Sequence, residues 1–171
     1  MSWLSRISTL CIALAVALAM NACTLRPLYS TGAGGIGPQA DLPAIAVDPP
    51  ETREEQVYRN ALLFALRGGG EGDATRYGLI YRITIREQEI AVERGTGVPN
   101  AYQLTGGVSF LLKDSASGES LFGASATASD TYARSSQNFS NVRARRDAED
   151  RLAKTLAELT LARLAAYFAT N

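Results

Sequence analysis

Apolar residues recur at every second position through the middle of the chain and at every third or fourth position towards its end. Leu79, Tyr81, Ile83 and Ile85 alternate with Arg82, Thr84 and Arg86, the period of a strand with one buried face. Ile90 and Val92 resume in the opposite phase, which predicts a bulge around residues 87–89 or a change of sheet face. Tyr102, Leu104, Val108, Phe110 and Leu112 make a second alternating strand. "DSASG" turns the chain, and Phe122, Ala124, Ala126 and Ala128 form the inward row of a third. Those alanines leave room above them for a bulky neighbour such as a helix.

Upstream, "LPAIAV" at 42–47 predicts a short strand, stopped by Pro49 and Pro50, which have no N–H for a ladder. From Pro50 and Glu51 the pattern turns helical. Glu51, Glu54 and Glu55 crowd the first turn, where the helix dipole favours anions. Val57, Ala61 and Phe64 share a stripe, flanked by Tyr58 and Ala65, and "RGGGEG" ends the helix. A longer helix is predicted from about Ser140 to Phe168. Ala148, Leu152, Leu156, Leu159 and Ala166 fall in one narrow arc of it. Asp147, Arg151, Lys154 and Glu158 lie opposite, with Asp147–Arg151 and Asp150–Lys154 in the favourable i,i+4 order. Beyond Leu159 it is apolar nearly all round, with Leu161, Leu164, Tyr167 and Phe168 off the stripe, so this end is deeply buried or meets a partner. The order strand, helix, three strands, helix predicts an α+β two-layer sandwich, one mostly antiparallel sheet packed against two helices.

The start of the chain follows other rules. A single basic residue, Arg6, precedes an apolar run over 7–20. That run is too short to cross about 30 Å of hydrocarbon, which takes roughly 20 residues. A basic start, a short apolar region and a small residue, Ala22, ahead of Cys23 look like a bacterial lipoprotein signal, in which the cysteine becomes the lipidated mature N-terminus. The alternative is a plain secretory signal with an incidental cysteine. Thr24 after the cysteine favours export to the outer membrane in signals of this class. The expected organisation is a signal peptide over 1–22, a lipidated N-terminus and flexible tether over 23–41, and a single periplasmic domain over 42–171. The tether expectation rests on "STGAGGIGPQA" at 30–40, glycine-rich and without periodicity.

Composition narrows the chemistry. The chain has no histidine and two cysteines, of which Cys11 leaves with the signal. Ser-His and Cys-His catalysis, the common zinc sites and an intramolecular disulfide are therefore excluded. A formal net charge of +0 gives no global field towards nucleic acid. Carboxylates pair at Glu54-Glu55, at Glu87 with Glu89, and at Asp147 with Glu149 and Asp150. Acid–base chemistry needs two such groups converging in a cleft, whereas these stand in polar helix-start and strand-exit contexts, so no enzymatic activity and no cofactor are expected. "GGG" at 68–70 and "RGTG" at 94–97 match no phosphate-loop spacing and read as turns.

The arginines carry more information. Arg134, Arg143, Arg145 and Arg146 cluster around the start of the last helix, and Arg82 and Arg86 share a strand face. Cations at a helix start oppose the dipole, so secondary structure alone gives them no reason to be there. Guanidinium forks suit phosphate. Two readings stand: a solvated patch balanced by Asp147, Glu149 and Asp150, or a phosphate-facing surface.

Three stretches bear a family resemblance. "CTLRPLYS" at 23–30 resembles the lipidated Cys-x-x-x-Pro-Leu-Tyr opening of the lipopolysaccharide-assembly lipoprotein LptE family, in its alphaproteobacterial form. "VYRNALLFAL" resembles that family's first helix, with Arg59-Asn60 ahead of an apolar run. The stretch from Asp130 to Phe168 resembles its C-terminal part, through Tyr132, Phe139, Asn141, the Asp147-Ala148-Glu149 step and the end from Leu164. The resemblance implies a lipid-anchored outer-membrane protein that plugs the LptD β-barrel from the periplasmic side and binds lipopolysaccharide. It implies Cys23 as the lipidation site, and no lipopolysaccharide-contact residue carries over by motif. The six arginines stand as local candidates for that contact. An auxiliary lipoprotein of another envelope ABC-transport machine shares the anchor-plus-domain design and is the alternative.

Overall fold

The computed structural model describes residues 41–68, 75–92 and 99–170. The expected signal, Cys23, the expected tether up to residue 40, and residues 69–74 and 93–98, where turns are expected, lie outside the described residues. Four strands and two helices make up the fold: β1 (Ile45–Val47), α1 (Arg53–Arg67), β2 (Tyr77–Val92), β3 (Pro99–Asp114), β4 (Ser120–Ala133) and α2 (Asn138–Thr170). The sheet runs β1-β2-β3-β4, with β1 parallel to β2 and the remaining pairs antiparallel. This is the expected α+β arrangement of one mostly antiparallel sheet with two helices.

The alternation places the strand faces as read. Leu79, Leu104, Val108, Phe110 and Leu112 are buried, and Arg82, Thr84 and Arg86 are exposed. The phase slip is a register shift around Ile90 and Ala91, just past the expected residues 87–89, and it leaves Ile90 and Val92 exposed. The β3–β4 turn is closed by the Asp114 carboxylate, which accepts from the backbone N–H groups of Ala116 and Ser117, and by Gly118 at φ 71°. The small row of β4 takes the longer helix: Ala126 is buried beneath α2, and beside it Leu152 and Leu156 sit directly over Gly106 of β3.

Two expectations about the first elements change. Residues 42–44 form a 3-10 turn led by Pro43, so only Ile45–Val47 is strand. The helix starts at Arg53 rather than Pro50, because Thr52 caps it by accepting from the Glu55 N–H at 3.2 Å. Its C-terminus is Gly68 in the left-handed region.

The helix faces also shift. On α1 the buried row is Tyr58, Leu62 and Leu66, and Phe64 is 69% exposed. On α2 Ala148, Leu152 and Leu156 are buried as expected, but Leu159 and Ala166 are exposed, and the row continues through Thr160 and Leu164. An i,i+4 row winds by about 40° per step. The buried face therefore turns along α2, from β3 and β4 towards Tyr58 of α1. At its C-terminal end Tyr167 stacks on Phe122 and Phe168 meets Tyr77, with ring centroids 4.9 and 5.2 Å apart. The apolar end of α2 is thus covered from within the domain. Tyr77 in turn donates to Asp41, so the described chain begins at this same end of the fold.

Candidate functional site

The four arginines around the start of α2 have separate fates. Arg145 Nε lies 3.0 Å from both Glu87 of β2 and Glu149 of its own helix, which holds α2 onto the sheet. It borders a pocket of about 290 Å³ floored by Ile83, Ile85 and Leu104 and rimmed by Glu54 and Glu55. Its charge is balanced there, so it leaves the candidate set. Arg134 donates to the Tyr102 hydroxyl at 3.1 Å and lies over that ring, which stacks on Tyr132. Tyr132 donates to Glu87. Arg134 keeps its charge but points along the β3–β4 strand ends.

Arg143 and Arg146 remain together. Both line an open groove of about 570 Å³ with Ser140, Ala144, Asp147 and Asp150. Each of the two acids in the groove pairs with another arginine, Asp150 through Oδ2 alone, its Oδ1 having no hydrogen-bond partner among the described residues. Asp147 pairs with Arg151, which also holds Asp130 at 2.7 Å, and Asp150 pairs with Arg53 of α1 at 2.8 Å. The expected Asp150–Lys154 pair is therefore absent among the described residues, because Arg53 reaches Asp150 first. Arg143 and Arg146 have no ion-pair partner among the described residues. Their surroundings are apolar on the other side: Phe139 is 76% and Val142 51% exposed, and the Arg143 guanidinium lies over the Phe139 ring. Phe139, Val142, Arg143 and Arg146 follow the i, i+3, i+4, i+7 spacing that puts them on one helix face.

The dipole reason for singling out these arginines does not hold. α2 begins at Asn138, so Arg143 stands in its second turn, past the reach of the dipole. What distinguishes the pair is exposed apolar surface beside unpaired cations. The sequence carries that signal at Phe139, singled out above only for the family resemblance, and at Val142, not singled out there. Arg82 and Arg86 are both exposed on the outer sheet face, four residues apart on β2 and away from the groove.

Residues behind the family resemblance have structural tasks. Arg59 Nε donates to the carbonyls of Val47 and Asp48, closing the end of β1. Asn141 accepts from the Ser135 N–H at 2.7 Å and donates to its carbonyl at 2.8 Å, which fixes the turn into α2. None of the described helices is long and apolar enough to cross a membrane.

Known structures share this fold. A lipoprotein from Caulobacter crescentus superimposes with a TM-score of 0.64 at 24% identity, covering 78% of this chain and 97% of its own. A minor lipoprotein from Acinetobacter baumannii gives 0.52 at 18%, covering 71% and 88%. Rare lipoprotein B from Shewanella oneidensis gives 0.53 at 13%, covering 71% and 92%. No curated protein sequence matches the chain. Residues 42–164 match the family described as LptE, lipopolysaccharide-assembly, a stretch that runs from the 3-10 turn to Leu164 of α2. The chain belongs to the LptE lipopolysaccharide-assembly family.

Proposed function

We propose that this protein is an outer-membrane lipoprotein, anchored through lipid on Cys23, that seats as a plug in the LptD β-barrel and binds lipopolysaccharide on its way to the outer leaflet. It works by binding rather than by catalysis. Family membership supports the barrel partner, and the polar outer face of the sheet suits a barrel's polar interior. The observation that carries lipopolysaccharide binding is the groove on α2. Lipid A is an amphiphile with phosphates beside acyl chains, and the groove offers two unpaired guanidiniums beside exposed Phe139 and Val142. Each charge-assisted contact contributes up to about 1.5–3 kcal/mol when well made, and less where water reaches it.

Lipopolysaccharide binding by the full chain tests this. Arg143→Glu with Arg146→Glu should weaken binding by at least tenfold, and wild-type affinity should fall as salt rises, because exposed charges are screened beyond about 8 Å. Arg82→Glu with Arg86→Glu is the comparison on the outer face. If only that pair matters, the contact lies on the sheet. If neither does, the arginines are solvated surface. Copurification of a tagged chain with a stoichiometric large β-barrel tests the partner, and recovery of inner-membrane transport subunits instead would exclude it.

A further inference from the structure

The sheet has two open edges, and the sequence treats them differently. β1 covers β2 only over Tyr77–Leu79, so the rest of β2 is unpaired on that side among the described residues. That stretch carries Arg82, Arg86, Glu87 and Glu89 and ends in a bulge near Ile90. Charges and bulges of this kind keep foreign strands from adding to an edge. β4 has few of these protections. It pairs with β3 from Ala101–Ala133 to Lys113–Ser120, and its other side has no strand among the described residues. Its 14 residues include no proline and no basic side chain. Its one charge, Asp130, is held by Arg151. Its one register shift lies beside the hairpin turn, where Leu121 is the extra residue between Ser120 and Phe122. Ser125, Thr127 and Ser129 on its outer face are small, neutral and exposed. Arg151 donates to the Thr131 carbonyl, so the end of the strand is occupied and residues 120–129 are left open.

We propose that the open edge of β4 over residues 120–129 docks an extended segment of the barrel partner, which adds to the sheet as a fifth strand. The proposal rests on the barrel reading above. A closed barrel has no free strand edge of its own. The docking segment is therefore a loop or terminus that projects into the lumen, not a strand of the wall. It needs little side-chain bulk opposite the hydroxyl row, and main-chain hydrogen bonds supply its affinity. Two other occupants fit less well. A second copy paired β4 to β4 brings two α2 helices together, each overlying its own β4 and reaching the strand end with a charged flank of Asp147 and Arg151. The chain's own N-terminal stretch enters at Asp41, beside Tyr77 and β1, on the opposite margin of the sheet.

Amide hydrogen exchange on the full-length chain, alone and copurified with the barrel, tests the proposal. Amides within 121–129 should exchange at least tenfold more slowly in the complex, while those within 81–89 of β2 change little. Ser125→Lys with Thr127→Lys, at exposed positions, should weaken barrel association at least tenfold without lowering the melting temperature of the free chain. A complex that forms with β4 exchange unchanged overturns the proposal and leaves the barrel reading standing. Protection of β4 in the free chain overturns it too, in favour of a second copy if it grows with concentration and of the chain's own tail if it does not. Failure to form any barrel complex overturns both.

Discussion

The Tyr58 hydroxyl on α1 donates to the Thr160 hydroxyl on α2 across 3.0 Å of buried interior, and Thr160 donates in turn to the Leu156 carbonyl at 2.9 Å. The chain of bonds has a direction, and the two partners are not equivalent. Tyr58→Phe removes the first donor and leaves Thr160 satisfied through Leu156, which should cost about 1 kcal/mol. Thr160→Val leaves the Tyr58 hydroxyl buried without an acceptor, which should cost about 1–3 kcal/mol. Urea unfolding should show the double variant less destabilised than the sum of the singles. Equal, additive losses would mean that the two hydroxyls do not act as a pair.

Gly106 is fixed by the helix above it. A Cβ at this position meets Leu152 Cδ2 at 3.0 Å and Leu156 Cδ1 at 3.1 Å, and both leucines are fully buried. Gly106→Ala should therefore destabilise by about 1–3 kcal/mol through overpacking. The neighbouring Gly107→Ala meets only Thr127 Cγ2 at 3.8 Å and the Ala126 carbonyl oxygen at 4.0 Å, both ordinary contacts, and should be neutral or slightly stabilising. Thermal melts of the two variants should move apart, and equal melts would remove the close approach of α2 to β3 from the account.

Alkaline pH should expose the tyrosine contacts. Burial, with Glu55 nearby, pushes the Tyr81 phenol up to about 12, and burial with the hydrogen bond to Glu87 does the same for Tyr132. A raised value means that the folded state favours the neutral phenol. That stability is whole below the unfolded value near 10 and is lost as pH rises through about 12. Stability measured against pH should be level up to about 10 and fall beyond it. The Tyr81 hydroxyl also has no hydrogen-bond partner among the described residues. Tyr81→Phe should then reduce the alkaline loss while costing nothing at pH 7, which denaturation at the two pH values checks.

Cys23→Ser should leave the chain uncleaved or released and unlabelled by palmitate. Attachment by several acyl chains at about 0.8 kcal/mol per buried CH₂ is stable, where one chain is marginal. Normal acylation of this variant would end the lipid-anchor reading.

The strands were legible because each buries one face, so that a period of two could carry no second meaning. The helices were legible as elements, but their buried faces were not. "YRNALLFAL" and the end of α2 are apolar nearly all round, and only the neighbours decide which row turns inward. Thr160 shows the same limit, since a buried hydroxyl has meaning only beside Tyr58, 102 residues away. The arginine cluster was legible as composition and not as a site. Its division depends on Glu87 of β2 capturing Arg145 of α2 and on Arg53 capturing Asp150 across 97 residues. Local spacing contains neither event.

α2 is 33 residues long, a rise of about 50 Å, which exceeds the roughly 30 Å of a bilayer's hydrocarbon core. Asp41, Tyr77 and Phe168 gather at one end of the domain, and Phe139, Arg143 and Arg146 stand at the other end of the helix. The helix therefore works as a spacer. Asp41, where the described chain enters the fold, is kept more than a membrane's apolar thickness from the arginine groove. The two ends of the domain can therefore answer to different surroundings, with one stiff rod setting the distance between them.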